Sequence, residues 1–302
     1  MPALSLVICI HKEGEHLRRL LRHAEGCYDD LVVVHDGPDE TDVRAIVEAQ
    51  GGRFFERARA FYEEPHWAFA WAEARHDWIL RWDADEFPSE GLRDWLTRFR
   101  AEPDLEAEVS AYSVIWPHWD GERARTRNWP RRLALINRQR VRHFGLAHQA
   151  PIPDGRVVAL DLILNHQPDR PTYGVWNTLR RPISRRWQIE TARALLGSPT
   201  DLPCWRWENP EWPKRWEDIR RHPLLTGLKR LIVSPIQNGL DMLRHGEWPR
   251  PSALIVFPLQ HWMTCYRYHQ LKRLPPEARQ AFIDRFGAGA DVKTPGVKGG
   301  RQ

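Results

Sequence analysis

The chain has 302 residues, 42% hydrophobic and 28% charged, with a formal charge of +5 and arginine as nearly all of its basic side. This is globular rather than disordered composition, with length enough to bury a core in one large domain or a domain and a half. The small basic excess tolerates an acidic partner such as a nucleotide, a phospholipid surface or DNA, but does not demand one.

Leu4 to Ile10 is wholly apolar apart from Ser5, the pattern of a strand covered on both faces, and it ends at His11-Lys12-Glu13-Gly14. Leucines at 17, 20 and 21 predict an amphipathic helix from Glu15 to about Ala24. Leu31 to Val34 is a second buried strand, ending at His35-Asp36-Gly37, after which Thr41 is placed to cap a helix running to about Gln50. Phe54-Phe55 is a short third strand, Glu63 to Arg75 a helix, and Trp78 to Trp82 a fourth strand that runs into Asp83-Ala84-Asp85-Glu86. Strands alternating with helices through short loops predict a mostly parallel sheet with helices on both faces. In such sheets ligands bind beyond the carboxyl ends of the strands, so His11 to Glu13, Asp36 and Asp83 to Glu86 are expected to converge on one crevice.

Further on, Ser89 is expected to cap a helix to about Ala101, and Val109 to Trp116 to form a strand. Residues 117–130 read as a loop or hairpin, and Arg132 to Asn137, Arg140 to Phe144 and Val157 to Leu164 as short strands. From Pro171 the pattern turns helical, with helices expected over Tyr173 to Leu196, Pro213 to Arg221, Leu224 to Arg244 and Pro251 to Leu274, and a disordered tail over 291–302. The domain division is therefore 1–170, an α/β unit, and 171–290, a helical extension. No apolar run is long enough to span a membrane, and the four scattered cysteines read as reduced thiols, which points to a cytoplasmic protein.

Two aspartates one residue apart at a strand end can turn oxygens toward one hard cation, and Mg²⁺ or Mn²⁺ held in that way keeps positions open for phosphate oxygens. The pair alone is common; its place after a buried strand is what gives it weight. Sixteen tryptophans make a stacking site for sugars or bases plausible without locating it.

Taken in order, Ser5-Leu6-Val7-Ile8 with Lys12-Glu13, Asp30 to Gly37, and Asp77 to Glu86 resemble the nucleotide-sugar glycosyltransferases of the GT-A (Rossmann-like) fold, family 2 type. The resemblance covers about Leu4 to His166 and continues through Arg132-Leu133, Phe144-Gly145, His148 and Asn165-His166, similar to members whose metal site includes a late histidine. It implies a divalent cation, Mn²⁺ or Mg²⁺, held by Asp83, Asp85 and His148, and a nucleotide-diphosphate sugar, with UDP favoured, bound by His11, Glu13, Asp36 and Asp83. Where family members carry an Arg-Asn pair this chain has Trp67-Ala68, which shifts the phosphate contact to Arg59 or Arg81. Many relatives have Glu after the late histidine and this chain has Gln149, so the candidate catalytic carboxylates beside Asp83 and Asp85 are Glu86, Asp120 and Asp161. Inversion or retention at the sugar carbon stays open.

The resemblance makes 1–170 the catalytic unit and leaves 171–290 to the acceptor side; the implied acceptor is a hydroxyl on a glycan or lipid-linked saccharide, used at the inner membrane face by a peripheral enzyme. A DNA glycosyltransferase acting on hydroxymethylated pyrimidines, as in some phage-associated enzymes, is the second reading, and a non-catalytic binding module the third. Plainer roles stand beside these. Asp36-Gly37 is a good turn pair in any protein. The arginine pairs at 180 and 181, 185 and 186, and 220 and 221 read as solvated helix faces, and the tryptophans at 205, 207, 212 and 216 as helix packing.

Overall fold

The computed structural model describes residues 2–101, 108–168 and 181–287. The first half alternates as expected: β1 (Leu4–Ile10), α1 (Gly14–His23), β2 (Asp30–Asp36), α2 (Val43–Ala49), β3 (Arg53–Arg57), α3 (Glu64–Glu73) and β4 (Trp78–Arg81). There follow β5 (Glu86–Pro88), α4 (Glu90–Ala101), β6 (Val109–Ile115), β7 (Arg131–Asn137), β8 (Val141–Arg142), β9 (Ile152–Pro153) and β10 (Arg156–His166). Eight of these strands form one sheet in the order β3-β2-β1-β4-β7-β6-β10-β5. The β3-β2-β1-β4 block and the β6-β10 pair are parallel, while β7 runs antiparallel to both neighbours and β5 antiparallel to β10. This is the expected α/β sheet, mostly parallel, with an antiparallel insertion.

Period-two alternation explains why β1, apart from Ser5, and the centre of β2 from Leu31 to Val34 are apolar. Leu4, Leu6, Ile8, Leu31 and Val33 face a core built on α1, α2 and α4. Val7, Cys9, Val32 and Val34 face the other way, onto Trp67, Ala70 and Trp71 of α3. With both faces covered by helices, neither of these stretches has a solvent-facing side.

Several local expectations shift. Asp39, not Thr41, serves the start of α2, accepting the Arg44 N–H at 2.9 Å and the Thr41 N–H and hydroxyl at 2.9 and 2.6 Å. Ser89 does accept from Leu92 N–H at 3.3 Å at the start of α4. The strand expected over 140–144 is a 3₁₀ turn at Arg138–Arg140 followed by the two residues of β8. Residues 117–130 do turn back on themselves, with Trp119 bridging Ala124 and Arg125 N–H donating to His118 O at 2.7 Å.

The second half contains α5 (Pro182–Ala194), α6 (Lys214–Arg221), α7 (Pro223–Arg244), α8 (Pro251–Arg273) and α9 (Pro276–Gly287). The last of these is an addition to the sequence reading. The 170/171 boundary, the expected helical residues 173–180 and the tail at 291–302 lie outside the described residues. The helices share a core of their own, Ile189, Ala192, Leu195, Trp216, Ile219, Cys265 and Leu271 among it, into which Phe144 and Leu146 of the first half insert. Trp207, Trp212 and Trp216 belong to this packing, and Trp205 packs with the α3 side of the sheet. Among the described residues no helix is long and apolar enough to cross a membrane.

Candidate functional site at the strand ends

The carboxyl ends of β1, β2 and β4 lie side by side because the three strands are neighbours in parallel register. Asp36 closes β2 and is followed by Gly37 at φ +95°, a left-handed turn that glycine adopts without steric cost. Its carboxylate is 4% exposed and filled with donors: Ala60 N–H at 2.5 Å, Phe61 N–H at 3.0 Å, His66 Nε2 at 2.9 Å and the Arg59 guanidinium. Burial works upward on this carboxyl, but the His66 and Ala60 hydrogen bonds and the Arg59 charge win and hold it below the usual range. Asp36 therefore ties the 59–61 turn and α3 to the end of β2.

Beside it, His11 stacks obliquely on buried His35 with centroids 5.5 Å apart. Burial, then the Arg59 charge, pull His11 down to about 4, so the ring is neutral at physiological pH. Glu13 accepts the His11 N–H at 2.6 Å. Crowding of its carboxyl among protein atoms pushes it up to about 7, and the like charge of Asp85 adds to this, although the residue keeps an exposed outer surface. The end of β1 thus meets the end of β4.

At β4, the Arg132 guanidinium of β7 clamps Asp83 with two bonds of 2.7 and 2.9 Å and reaches Glu86 at 2.6 Å. Against its burial, the Arg132 charge and hydrogen bonds, followed by Arg81, hold Asp83 well below the usual carboxylate range. Arg81 pairs with Glu63 at 3.2 Å and lies over the Trp67 ring at 4.6 Å. Burial, then the Asp83 charge, push Glu63 well above its ordinary value, and burial raises neighbouring Glu64 to about 7. The result is a tightly coupled cluster of carboxylates and arginines, with a quarter of the Asp83 and Asp85 side chains still open to water.

The other candidates separate from this cluster or change character. Glu86 is 0% exposed, accepts from Asp83 N–H at 2.9 Å and from the Trp116 indole, and burial raises it to about 7; it braces the 82–86 turn and is not placed to reach an acceptor. Asp120 accepts the N–H groups of Glu122 and Arg123, both at 2.9 Å, and these bonds pull it down to about 2, a poor value for a base. Asp161 has an 87% exposed side chain paired with Arg131. His148 gives its backbone N–H to Glu64, but its ring packs edge-on against Trp187 of α5, centroids 4.6 Å apart. The histidine beside Asp85 is His166, whose Nε2 is 3.4 Å from Asp85 Oδ2 and whose ring stacks on Trp116 at 4.1 Å.

Among the described residues, no group of three or more His, Cys, Asp or Glu side chains is gathered so as to hold a metal ion. The expected trio of Asp83, Asp85 and His148 is not brought together: Arg132 occupies both Asp83 oxygens and His148 turns to the helical half. Asp85 with His166 is an oxygen and nitrogen pair of a kind that suits Mn²⁺ or Mg²⁺ only when phosphate oxygens and water complete the shell.

Nothing in the sequence marks Glu63, Glu64 and His66 as site residues, and Arg132 enters through the resemblance alone, with no role attached. Arg132 and Asp83 are 49 positions apart, so their pairing shows only once β7 lies against β4.

The expected solvated face at Arg185 and Arg186 is also corrected in part. Arg186 pairs with Glu190 at 2.7 Å and lies over the Phe61 ring at 4.1 Å, which docks α5 onto the turn that Asp36 holds. A cavity of about 450 Å³ opens there, between Arg59, Tyr62 and Pro65 on one wall and Glu190 and Arg193 on the other.

His143 supplies a separate reporter of integrity. It is fully buried, its Nδ1 accepts the Gly145 N–H at 3.2 Å and its Nε2 faces Gln149 O at 3.1 Å, so the neutral ring satisfies both partners. Burial, then the Arg81 charge, depress it to about 3. The unfolded chain takes up this proton below about 6.5 and the folded chain does not, so the His143 contribution to stability is lost as pH falls from about 6.5 toward 3. Glu64 and Glu86, raised to about 7, act in the opposite sense, the folded chain holding their protons between about 4.5 and 7. A His143→Gln variant isolates the histidine. Its urea stability is expected to fall less steeply on acidification than that of the parent, by about 1.4 kcal/mol per pH unit; equal slopes would show that His143 is charged in the folded protein.

No protein-family model matches the chain, and no curated protein matches it in sequence. Among solved structures it is similar to TarS of S. aureus. The 1–349 fragment in complex with UDP is 9% identical over 90% of this chain and 92% of that one, at a TM-score of 0.39. A second structure of the same fragment is 10% identical over the same shares, at 0.37. A longer TarS structure is 12% identical over 95% of this chain and 55% of its own, at 0.39. Likeness this loose sets no function, and the fold stands on the chain's own strand order.

Proposed function

We propose that this protein is a glycosyltransferase of the GT-A type that moves a sugar from a nucleotide-diphosphate sugar, UDP-sugar favoured, to a hydroxyl acceptor on a glycan or lipid-linked saccharide. The supporting observation is the convergence of Glu13, Asp36, Asp83 and Asp85 at the adjacent ends of β1, β2 and β4, with Arg59 and Arg81 among them. Ligands in open α/β sheets bind at such ends, and a diphosphate needs cationic partners there.

In this reading Asp36 and the 59–61 turn form the base side, Arg59 and Arg81 face the diphosphate, and Asp85 with His166 would hold the divalent cation. Bound there, the cation would neutralise charge on the departing nucleoside diphosphate. Asp83, locked to Arg132, orients the turn that carries Asp85. The decisive experiment is turnover of a panel of nucleotide sugars with Mn²⁺ or Mg²⁺, followed by an acceptor screen that includes lipid-linked saccharides and hydroxymethylated DNA. Absence of turnover with every donor would overturn the reading, and salt-sensitive transfer to DNA would move the acceptor to nucleic acid.

Asp36→Asn tests the base side. The amide keeps one acceptor oxygen but sets an NH₂ group against donors, so the UDP dissociation constant is expected to rise about tenfold, or 1.4 kcal/mol, with discrimination among UDP, GDP and CDP relaxed. Calorimetric titrations that give unchanged affinity for each nucleotide would remove Asp36 from the pocket.

A further inference from the structure

Helix α7 carries an apolar stripe that nothing among the described residues covers. Leu225, Leu228, Ile232, Ile236, Leu240 and Leu243 are each half to two-thirds exposed. At about 100° per residue their spacing confines them to an arc roughly 120° wide. The opposite side of α7 is packed: Gly227 lies against Trp262 of α8 so closely that a Cβ there would come within 2.5 Å of the ring. Just past the end of α7, Trp248 is 82% exposed.

The charge around this stripe is one-sided. Residues 220–273 contain nine Lys and Arg against two acids, Asp241 and Glu247. Glu247 is buried, and Asp241, whose side chain is half exposed, is tied to the first half of the chain. Asp241 accepts the Trp129 indole N–H at 2.6 Å, and Glu247 accepts the Asn128 N–H at 2.7 Å together with that of Arg127. Lys229, Arg244, Arg221, Lys272 and Arg273 are exposed. A long apolar stripe, a terminal tryptophan and a basic border are the parts of a helix that lies in the plane of a membrane interface. A second copy of the same face would bring basic borders together, whereas an anionic lipid surface complements them.

We infer that α7 and Trp248 form a docking surface for an anionic lipid bilayer, on which the protein lies without crossing it. The surface is joined to the strand-end site. Trp129 and residues 127–128 fasten the end of α7, His118 packs against Trp129 at 4.9 Å and against Trp116 at 6.5 Å, and Trp116 stacks on His166. A bilayer at α7 would therefore lie on the side of the molecule to which a lipid-linked acceptor is anchored. That consequence rests on the glycosyltransferase reading; the surface itself does not.

The test is co-sedimentation with phosphatidylcholine vesicles made with and without phosphatidylglycerol, in the absence of any nucleotide sugar. The protein is expected to sediment with the anionic vesicles only, with binding that weakens as salt is raised. The double variant Ile232→Asp, Ile236→Asp, at solvent-exposed positions, is expected to lose at least tenfold in vesicle affinity with an unchanged melting temperature. Recovery of the parent in the supernatant at low salt, or equal binding by the variant, would overturn the inference. So would a dimer by light scattering that the double variant converts to monomer, since a second copy would then be the occupant. Because the assay contains no donor, its failure leaves the strand-end site untouched, and failure of donor turnover leaves the surface untouched.

Discussion

Asp85→Asn is expected to lower kcat/KM for sugar transfer by at least ~10²-fold, about 2.7 kcal/mol, with no change in melting temperature. The reason lies in how little the fold asks of this side chain. The Asp85 side chain is a quarter exposed, its Oδ2 lies 3.4 Å from His166 Nε2, and the turn is closed by its backbone carbonyl, which accepts Gln167 N–H at 2.8 Å. The amide keeps the shape and removes the charge. If the carboxylate holds a divalent cation against a diphosphate, UDP binding by calorimetry should depend on Mn²⁺ in the parent and cease to do so in the variant. Full activity of Asp85→Asn, or of the parent in EDTA, would sink the metal role.

Arg132→Met should do the reverse, with a large loss of stability whatever the substrate. The guanidinium holds Asp83 by two bonds and Glu86 by a third, and Glu86 has no contact with water. Removing one partner of a buried charge cluster leaves the others uncompensated, at about 3–5 kcal/mol. For a chain of this size that is on the order of ten degrees in melting temperature. The sign of the pH dependence gives an independent check. In the parent, Arg132 keeps Asp83 ionised; without it Asp83 rises, and with Glu86 already near 7 both carboxyls can take up protons on mild acidification. The gap in stability between variant and parent is therefore expected to narrow from pH 7 to pH 5 in thermal melts. A constant gap would mean that Arg132 acts by packing over Trp116, at 5.7 Å, and not by charge.

The parts of this molecule that sequence reveals are those whose cause is local. An apolar run such as Leu4 to Ile10 shows a strand buried on both faces, because any solvent-facing side would have to alternate polar residues. Its end is visible too, as the first charged cluster after it, which is why Glu13, Asp36 and Asp83 could be set at one crevice from order alone. What stays hidden depends on which strand lies beside which. Arg132 is one of many arginines until β7 pairs with β4. His148 and His166 are equally eligible until Trp187 takes one ring and Trp116 the other. Asp36 looks open at a strand end, yet its oxygens are filled by a turn 24 residues later. Short polar pairs mislead for the same reason: Thr41 could cap α2, but Asp39 reaches the Arg44 N–H first.

The three residues of β5 enter the main sheet solely through β10, with His166 opposite Glu86 in register. The turn that carries Asp83 and Asp85 thus has one end on β4, early in the chain, and the other on a strand synthesised some 80 residues later. A growing chain emerges at roughly 5–20 residues per second, so β1, β2 and β4 are all made seconds before β10. During those seconds the parallel block can form, and Arg132 of β7 can reach Asp83, while β5 still lacks the strand that anchors it to the sheet. Competence to bind a ligand at the strand ends is accordingly a late event in the life of each molecule, timed by the arrival of β10 and not by collapse of the core.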